Sequence, residues 1–237
     1  MTDERRQACA RFVSDLRRVF GPRLRACAAY GPAIEDTATP GEAISTLVLV
    51  DLMTADDLTA CGGSTRHWHR AGLATPLVLT LDEFRRSLDA FPLEYAAIAA
   101  SHVVLAGDPP FAGLTIDPAD IRRALEVQVK SHLIHLREGY MEAAGDMGAL
   151  SRLVVASAAP LLALLQNLAR LEGVRADTPA AVARAAAERF GVSGGVVADV
   201  LGLAQQGPGA TADPARLFLA YLSMMEALAA GIDAWHA

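Results

Sequence analysis

Three cysteines are all that the sequence contains, and Cys9, Cys27 and Cys61 stand at wide, unpatterned spacing. An odd number so spaced excludes a disulfide framework and a zinc motif, and it predicts a reducing, cytoplasmic setting. The stretch MTDERRQACARF lacks the apolar core of a signal peptide. A basic excess is also lacking: the net charge is -6, which argues against a general affinity for nucleic-acid backbones. No uncharged run reaches the roughly 20 apolar residues that a bilayer span needs. The best candidate, residues 153–169, includes Ser157, Pro160, Gln166 and Asn167, so a buried core helix and no membrane association are expected. There is no internal repeat.

What is present is the composition of a globular protein. The chain has 237 residues, 52% hydrophobic and 20% charged, enough to bury one large core or two smaller ones. Phe12, Leu16 and Phe20 recur at helical spacing and predict a helix over 3–20, stopped by Gly21-Pro22. Residues 24–30 read as a strand ending at Gly31. Residues 44–50, ISTLVLV, are aliphatic and β-branched and predict a strand buried on both faces. Thr54 with Asp57, and Thr80 with Glu83, are capping-box pairs that start helices. Strands are expected at 76–81 and 102–106.

Beyond Pro110 no strand signal returns. Asp117-Pro118, Thr178-Pro179 and Asp213-Pro214 each place a capping side chain before a proline at the first helical position. They delimit helices over 118–144, 148–172 with a kink or break near Pro160, 179–190, 194–206 and 214–234. The expected organisation is an α+β or α/β domain over residues 1–115, followed by an all-helical bundle over 116–237.

A strand ending in Gly, a short turn and a second strand about a dozen residues later carry a further meaning. In YGPAIEDTATPGEAISTLVLV, Tyr30-Gly31 stands at the turn, Pro40-Gly41 at the loop end and Leu47 to Val50 in the strand body. This layout resembles the nucleotidyltransferase fold of the DNA polymerase β superfamily, over roughly residues 20–145. The resemblance implies a mixed sheet with flanking helices and a helical C-terminal domain. It further implies a Gly-Ser turn that grips phosphate and a strand carrying two carboxylates for the divalent ions of phosphoryl transfer.

The residues depart from that pattern. Pro32 stands where the serine belongs, removing a hydroxyl and a backbone N–H. Counting back from the strand body places Ile44 and Thr46 at the carboxylate positions, and neither is an anionic ligand for Mg²⁺. Asp51 is five residues beyond Thr46, on the opposite face and roughly 16 Å along the strand. Glu35 and Asp36 lie in the loop where the family has Arg and Gly, and would repel a triphosphate. Glu42 has the parity of Ile44 and supplies one carboxylate where two are needed. Asp82 and Glu83 read as first-turn acids of a capped helix.

The resemblance with these departures implies a catalytically inactive nucleotidyltransferase-like protein with a binding or scaffolding role, and no catalytic or metal-ligating residue. Gly31, Glu42 and Thr46 are the candidate binding residues, and no cofactor is expected. A nucleotide or other small molecule in the cleft between domains, a homodimer, or a partner protein is compatible with this. The alternative is transfer of a nucleotidyl group to a small molecule or protein through a non-standard Mg²⁺ site using Glu42.

Other candidates have plainer readings. His67 and His69 at a helix end complement the helix dipole. His132 and His135 share a helix face, one packed and one exposed, on a helix whose Lys130 and Arg137 read as a solvated face. Gln166 and Asn167 read as hydrogen-bonding residues of a core helix. Ser193-Gly194-Gly195 lacks the strand and lysine of a phosphate loop and reads as a helix boundary.

Overall fold

The computed structural model describes residues 1–34, 42–172, 174, 178–211 and 213–234. The chain forms two compact units, Met1–Asp117 and Pro118–Ala237.

The first unit begins with helix α1, Asp3–Phe20. Thr2 caps it, with Asp3 and Glu4 in the first turn and Arg17 and Arg18 in the last, which matches the helix dipole at both ends. Its buried stripe is Ala8, Cys9, Phe12, Val13, Leu16 and Phe20, the apolar spacing of one helical face. Strand β1, Leu24–Tyr30, follows a turn at Gly21–Arg23. Strand β2 is Ser45–Val50, extended back by a bridge from Ile44 to Leu73. Helix α2, Ala55–Arg70, starts at the Thr54/Asp57 capping box. Strand β3, Leu77–Thr80, runs into helix α3, Leu81–Arg86, through the Thr80/Glu83 capping box. Helix α4, Pro92–Ala100, and strand β4, His102–Gly107, complete the unit.

The strands form one mixed sheet in the order β3-β2-β1-β4. β1 pairs antiparallel with both β2 and β4, and β2 pairs parallel with β3. Two apolar layers sandwich this sheet. On one side Cys27, Ala29, Ile44, Val48 and Val50 pack with α1 and with Cys61, Trp68 and Leu73. On the other, Ala26, Leu47 and Leu49 pack with Phe84, Tyr95 and Ile98. β2 is therefore buried on both faces, as its aliphatic run predicts. The three thiols are free and buried in the first layer. Burial, with the Cys9 thiol nearby, pushes the Cys27 thiol up to about 12, so it is inert at neutral pH.

The second unit is built from helices α5, Pro118–Ala143; α6, Met147–Leu171; α7, Pro179–Arg189; α8, Gly194–Gln206; and α9, Pro214–Ala234. α6 packs against the other four, with Leu161, Leu164, Leu165 and Leu168 fully buried. α6 and α9 are long and apolar enough to cross a membrane by length and composition. Here their apolar faces form the core of the helical unit. The break expected at Pro160 is absent: α6 runs through it as one helix. The proline deletes one backbone hydrogen bond on the exposed side of the helix, while Ser157, Ala158 and Leu161 on the other side are buried.

A polar contact lies inside this unit. The His132 Nε2 of α5 hydrogen-bonds the Tyr221 hydroxyl of α9, which is fully buried, while His135 is exposed and bonds the Ser131 carbonyl. Burial, and secondarily His135, hold His132 down to about 4 from an ordinary value of 6.5. The folded state then refuses a proton that the unfolded chain accepts between those two values. Stability is complete above pH 6.5 and falls as pH drops toward 4, by about 2 kcal/mol at pH 5. Urea denaturation followed by circular dichroism should show this loss between pH 7 and pH 5, and His132→Gln should reduce it.

Candidate functional site

The turn at Gly31 is set by backbone geometry. Gly31 has φ +85°, a left-handed conformation that glycine adopts without strain. A short 3-10 turn, Pro32–Ile34, follows, with the Ile34 N–H donating to the Gly31 carbonyl. It has three residues and begins with proline, so it offers no row of free amides like that of a true helix N-terminus. Arg5 of α1 donates to the Ala33 carbonyl and, at 3.5 Å, to that of Glu42, tying both ends of the intervening loop to the helix. Glu35, Asp36, Pro40 and Gly41 lie outside the described residues.

Register decides which side chains face this turn. Tyr30 pairs with Ser45 across β1 and β2, and a Cβ on Gly31 would lie 4.0 Å from the Ser45 Oγ. Side chains alternate along a strand, so Ser45 shares its face with Leu47 and Leu49. Ile44 and Thr46 point the other way, into the layer of α1 and α2. Thr46 is 1% exposed, and its Oγ1 has no hydrogen-bond partner among the described residues.

The positions beside Gly31 are thus one residue away from those reached by counting. They are Ser45, half-buried, and by the same period Ala43, exposed. Glu42 is half-buried just before the strand. Asp51 is exposed at the far end of β2 and pairs with Arg25 at 2.9 Å.

The donor set tests the metal that such a fold implies. A two-ion site needs carboxylates spaced to bridge the ions, and the face beside Gly31 presents a hydroxyl and a methyl. Among the described residues no group of three or more His, Cys, Asp or Glu could hold a metal ion. The described residues do not fit the pair of ions. The same face continues into Tyr30, Leu79, Phe84, Tyr95 and Phe111. Phe84 meets Tyr95 and Phe111 edge-on with centroids 5.1 and 5.3 Å apart. Burial, with Tyr95 nearby, raises the Tyr30 phenol above its usual range, so it remains a neutral donor at working pH.

The remaining candidates resolve into structural partners. His67 is exposed beside Arg66 and Arg70, and His69 bonds the Thr75 hydroxyl at 3.0 Å. Lys130 pairs with Glu126 and Asp233, and Arg137 with Glu226. Asn167 donates to Gln128 of α5 at 3.3 Å, the helix-to-helix polar contact expected for it. Ser193 caps α8. Sequence reasoning missed the pairing of Arg23 with Asp57, bidentate at 2.7 and 2.8 Å. Arg23 holds the Asp57 carboxyl well below the usual range. The local signal at Asp57 was its capping role, and nothing local marks a partner 34 residues away.

The mixed sheet with its flanking helices and the following helical unit constitute a nucleotidyltransferase-like α+β fold. A solved structure with this fold is the spectinomycin adenyltransferase of Enterococcus faecialis, crystallised with ATP and spectinomycin. It matches with a TM-score of 0.59 and 12% identity, over 94% of this chain and 98% of that one. No protein-family model matches the sequence, and no curated protein is significantly similar to it.

Proposed function

We infer that this chain is a nucleotidyltransferase-like protein that works by binding a small molecule and does not carry out metal-dependent nucleotidyl transfer. The observation that carries the reading is the side-chain sequence of β2 beside the Gly31 turn. A one-residue change of register does not bring an acid pair to that face: counting gives Ile44 and Thr46, and geometry gives Ala43 and Ser45. The reading is of a soluble protein whose ligand is a nucleotide or another small molecule, the classes that the adenyltransferase named above holds. Gly31 and Ser45 border the binding face; Glu42, of the same parity as Ile44, stands just before β2 and does not share that face. Thr46 contributes packing beneath it. Fold likeness alone does not carry activity across.

Thermal-shift scans with ATP, CTP, GTP and UTP, with and without Mg²⁺ or Mn²⁺, test the reading. The expected result is that any stabilisation is the same with and without metal. Metal-dependent stabilisation that Glu42→Gln abolishes would instead establish an enzyme with a rearranged site.

A further inference from the structure

A cavity of about 300 Å³ opens on the apolar side of the sheet, between β3, α3 and α4. It is at the small end of the range for ligand sites. Its walls are Leu77, Leu79, Phe91 and Tyr95, and its polar groups are Ser87, Glu83 and Glu94. Leu77 is 38% exposed and Phe91 54%, an uncommon arrangement for two large apolar side chains lining the same hollow. Phe91 and Tyr95 stand edge to face, 6.3 Å apart.

The polar groups have a definite sign. Tyr95 and Ser87 satisfy each other through a 2.8 Å hydroxyl contact, so neither adds charge. The Glu83 carboxylate accepts from the Thr80 N–H and hydroxyl at 2.7 and 2.9 Å. Those donors hold it below the usual carboxylate range, and it stays ionised at neutral pH. Glu94 is exposed and has no hydrogen-bond or ion-pair partner among the described residues. Among the described residues no lysine, arginine or histidine lines the cavity. Two carboxylates therefore border an aromatic and aliphatic hollow without a compensating cation in its walls.

We propose that this cavity is a binding site for a small amphiphilic amine, its apolar body against Leu77, Leu79, Phe91 and Tyr95 and its ammonium at Glu94. The aromatic faces favour a cation as well. An anionic ligand of the same size meets two like charges. β3 contributes four residues to the sheet edge, which leaves little strand for a peptide to pair with. The proposal holds whether or not the Gly31 face turns a nucleotide over, because it depends on a different set of side chains.

The test uses three probes of one shape on the full chain, namely 2-phenylethylamine, 2-phenylethanol and phenylacetate, each titrated by calorimetry. The amine should bind about fivefold more tightly than the alcohol, the upper size of a solvent-exposed ion pair, and phenylacetate should bind least. Glu94→Gln should bring the amine to the affinity of the alcohol. Leu77→Trp, at an exposed position that folding tolerates, should fill the mouth and weaken all three probes. Phenylacetate binding as tightly as the amine, no binding by any probe at about 10 mM, or binding unchanged by both substitutions would overturn the proposal.

Discussion

Gly107→Ala is expected to unfold the first unit or leave it marginal, with a loss of more than about 3 kcal/mol. Gly107 ends β4 at φ +73°, in register with Ala26 of β1. A Cβ there would lie 1.9 Å from the Arg25 carbonyl oxygen and 2.7 Å from its carbon. Both atoms are backbone, so no side chain can swing aside. Relief requires moving β4 off β1, which breaks that pairing and the Asp108 N–H bond to Arg25 at 3.1 Å. Gly113 is the control: its φ is +72°, but a Cβ added there would meet no described atom within 4 Å. Gly113→Ala should therefore show the left-handed strain alone, about 1 kcal/mol. Urea denaturation of both variants separates the steric cost from the conformational one, and equal losses would disprove the steric account.

Trp68→Ala should cost about 3–5 kcal/mol, the range for removing a large buried aromatic. Trp68 is 1% exposed and ties α2 to α1 in two ways. Its ring meets Phe12 edge-on at 4.9 Å, and its Nε1–H donates to the Asp15 carboxylate at 2.9 Å. Trp68→Phe keeps much of the apolar volume and loses the donor, so it should cost clearly less, about 1–3 kcal/mol. Circular dichroism is the appropriate readout, since the substitution removes a fluorophore. A Trp68→Ala loss below that of Trp68→Phe would show that the indole is not the packing anchor between the helices.

The parts of the fold that depend on local chemistry were legible in the sequence. The Thr54/Asp57 and Thr80/Glu83 boxes start α2 and α3 as expected, because a capping box is complete within four residues. The proline-led starts of α5, α7 and α9 were readable for the same reason. Helix α4 was missed: Pro92 stands at its first position, but the N-cap before it is Phe91, which makes no side-chain capping bond.

The site's register was the least legible feature, and β2 shows why. Alternation of polar and apolar residues normally identifies the two faces of a strand. Thr46, Leu47, Val48, Leu49 and Val50 are all buried, so both faces look alike and a shift of one residue leaves no trace in composition. The bulges in β1, between Leu24 and Ala26 against β2 and between Cys27 and Ala28 against β4, compound this. Each reassigns faces through pairing with a distant strand. The absence of an acid pair was readable even so, because neither register supplies one.

That absence is the centre of the functional reading, and Mn²⁺ measures it directly. Electron paramagnetic resonance of Mn²⁺ titrated into the chain with saturating ATP should show the ion held by the nucleotide alone, with no further site contributed by protein. Saturable binding of about two Mn²⁺ per chain, as a two-ion transfer site requires, would contradict the account.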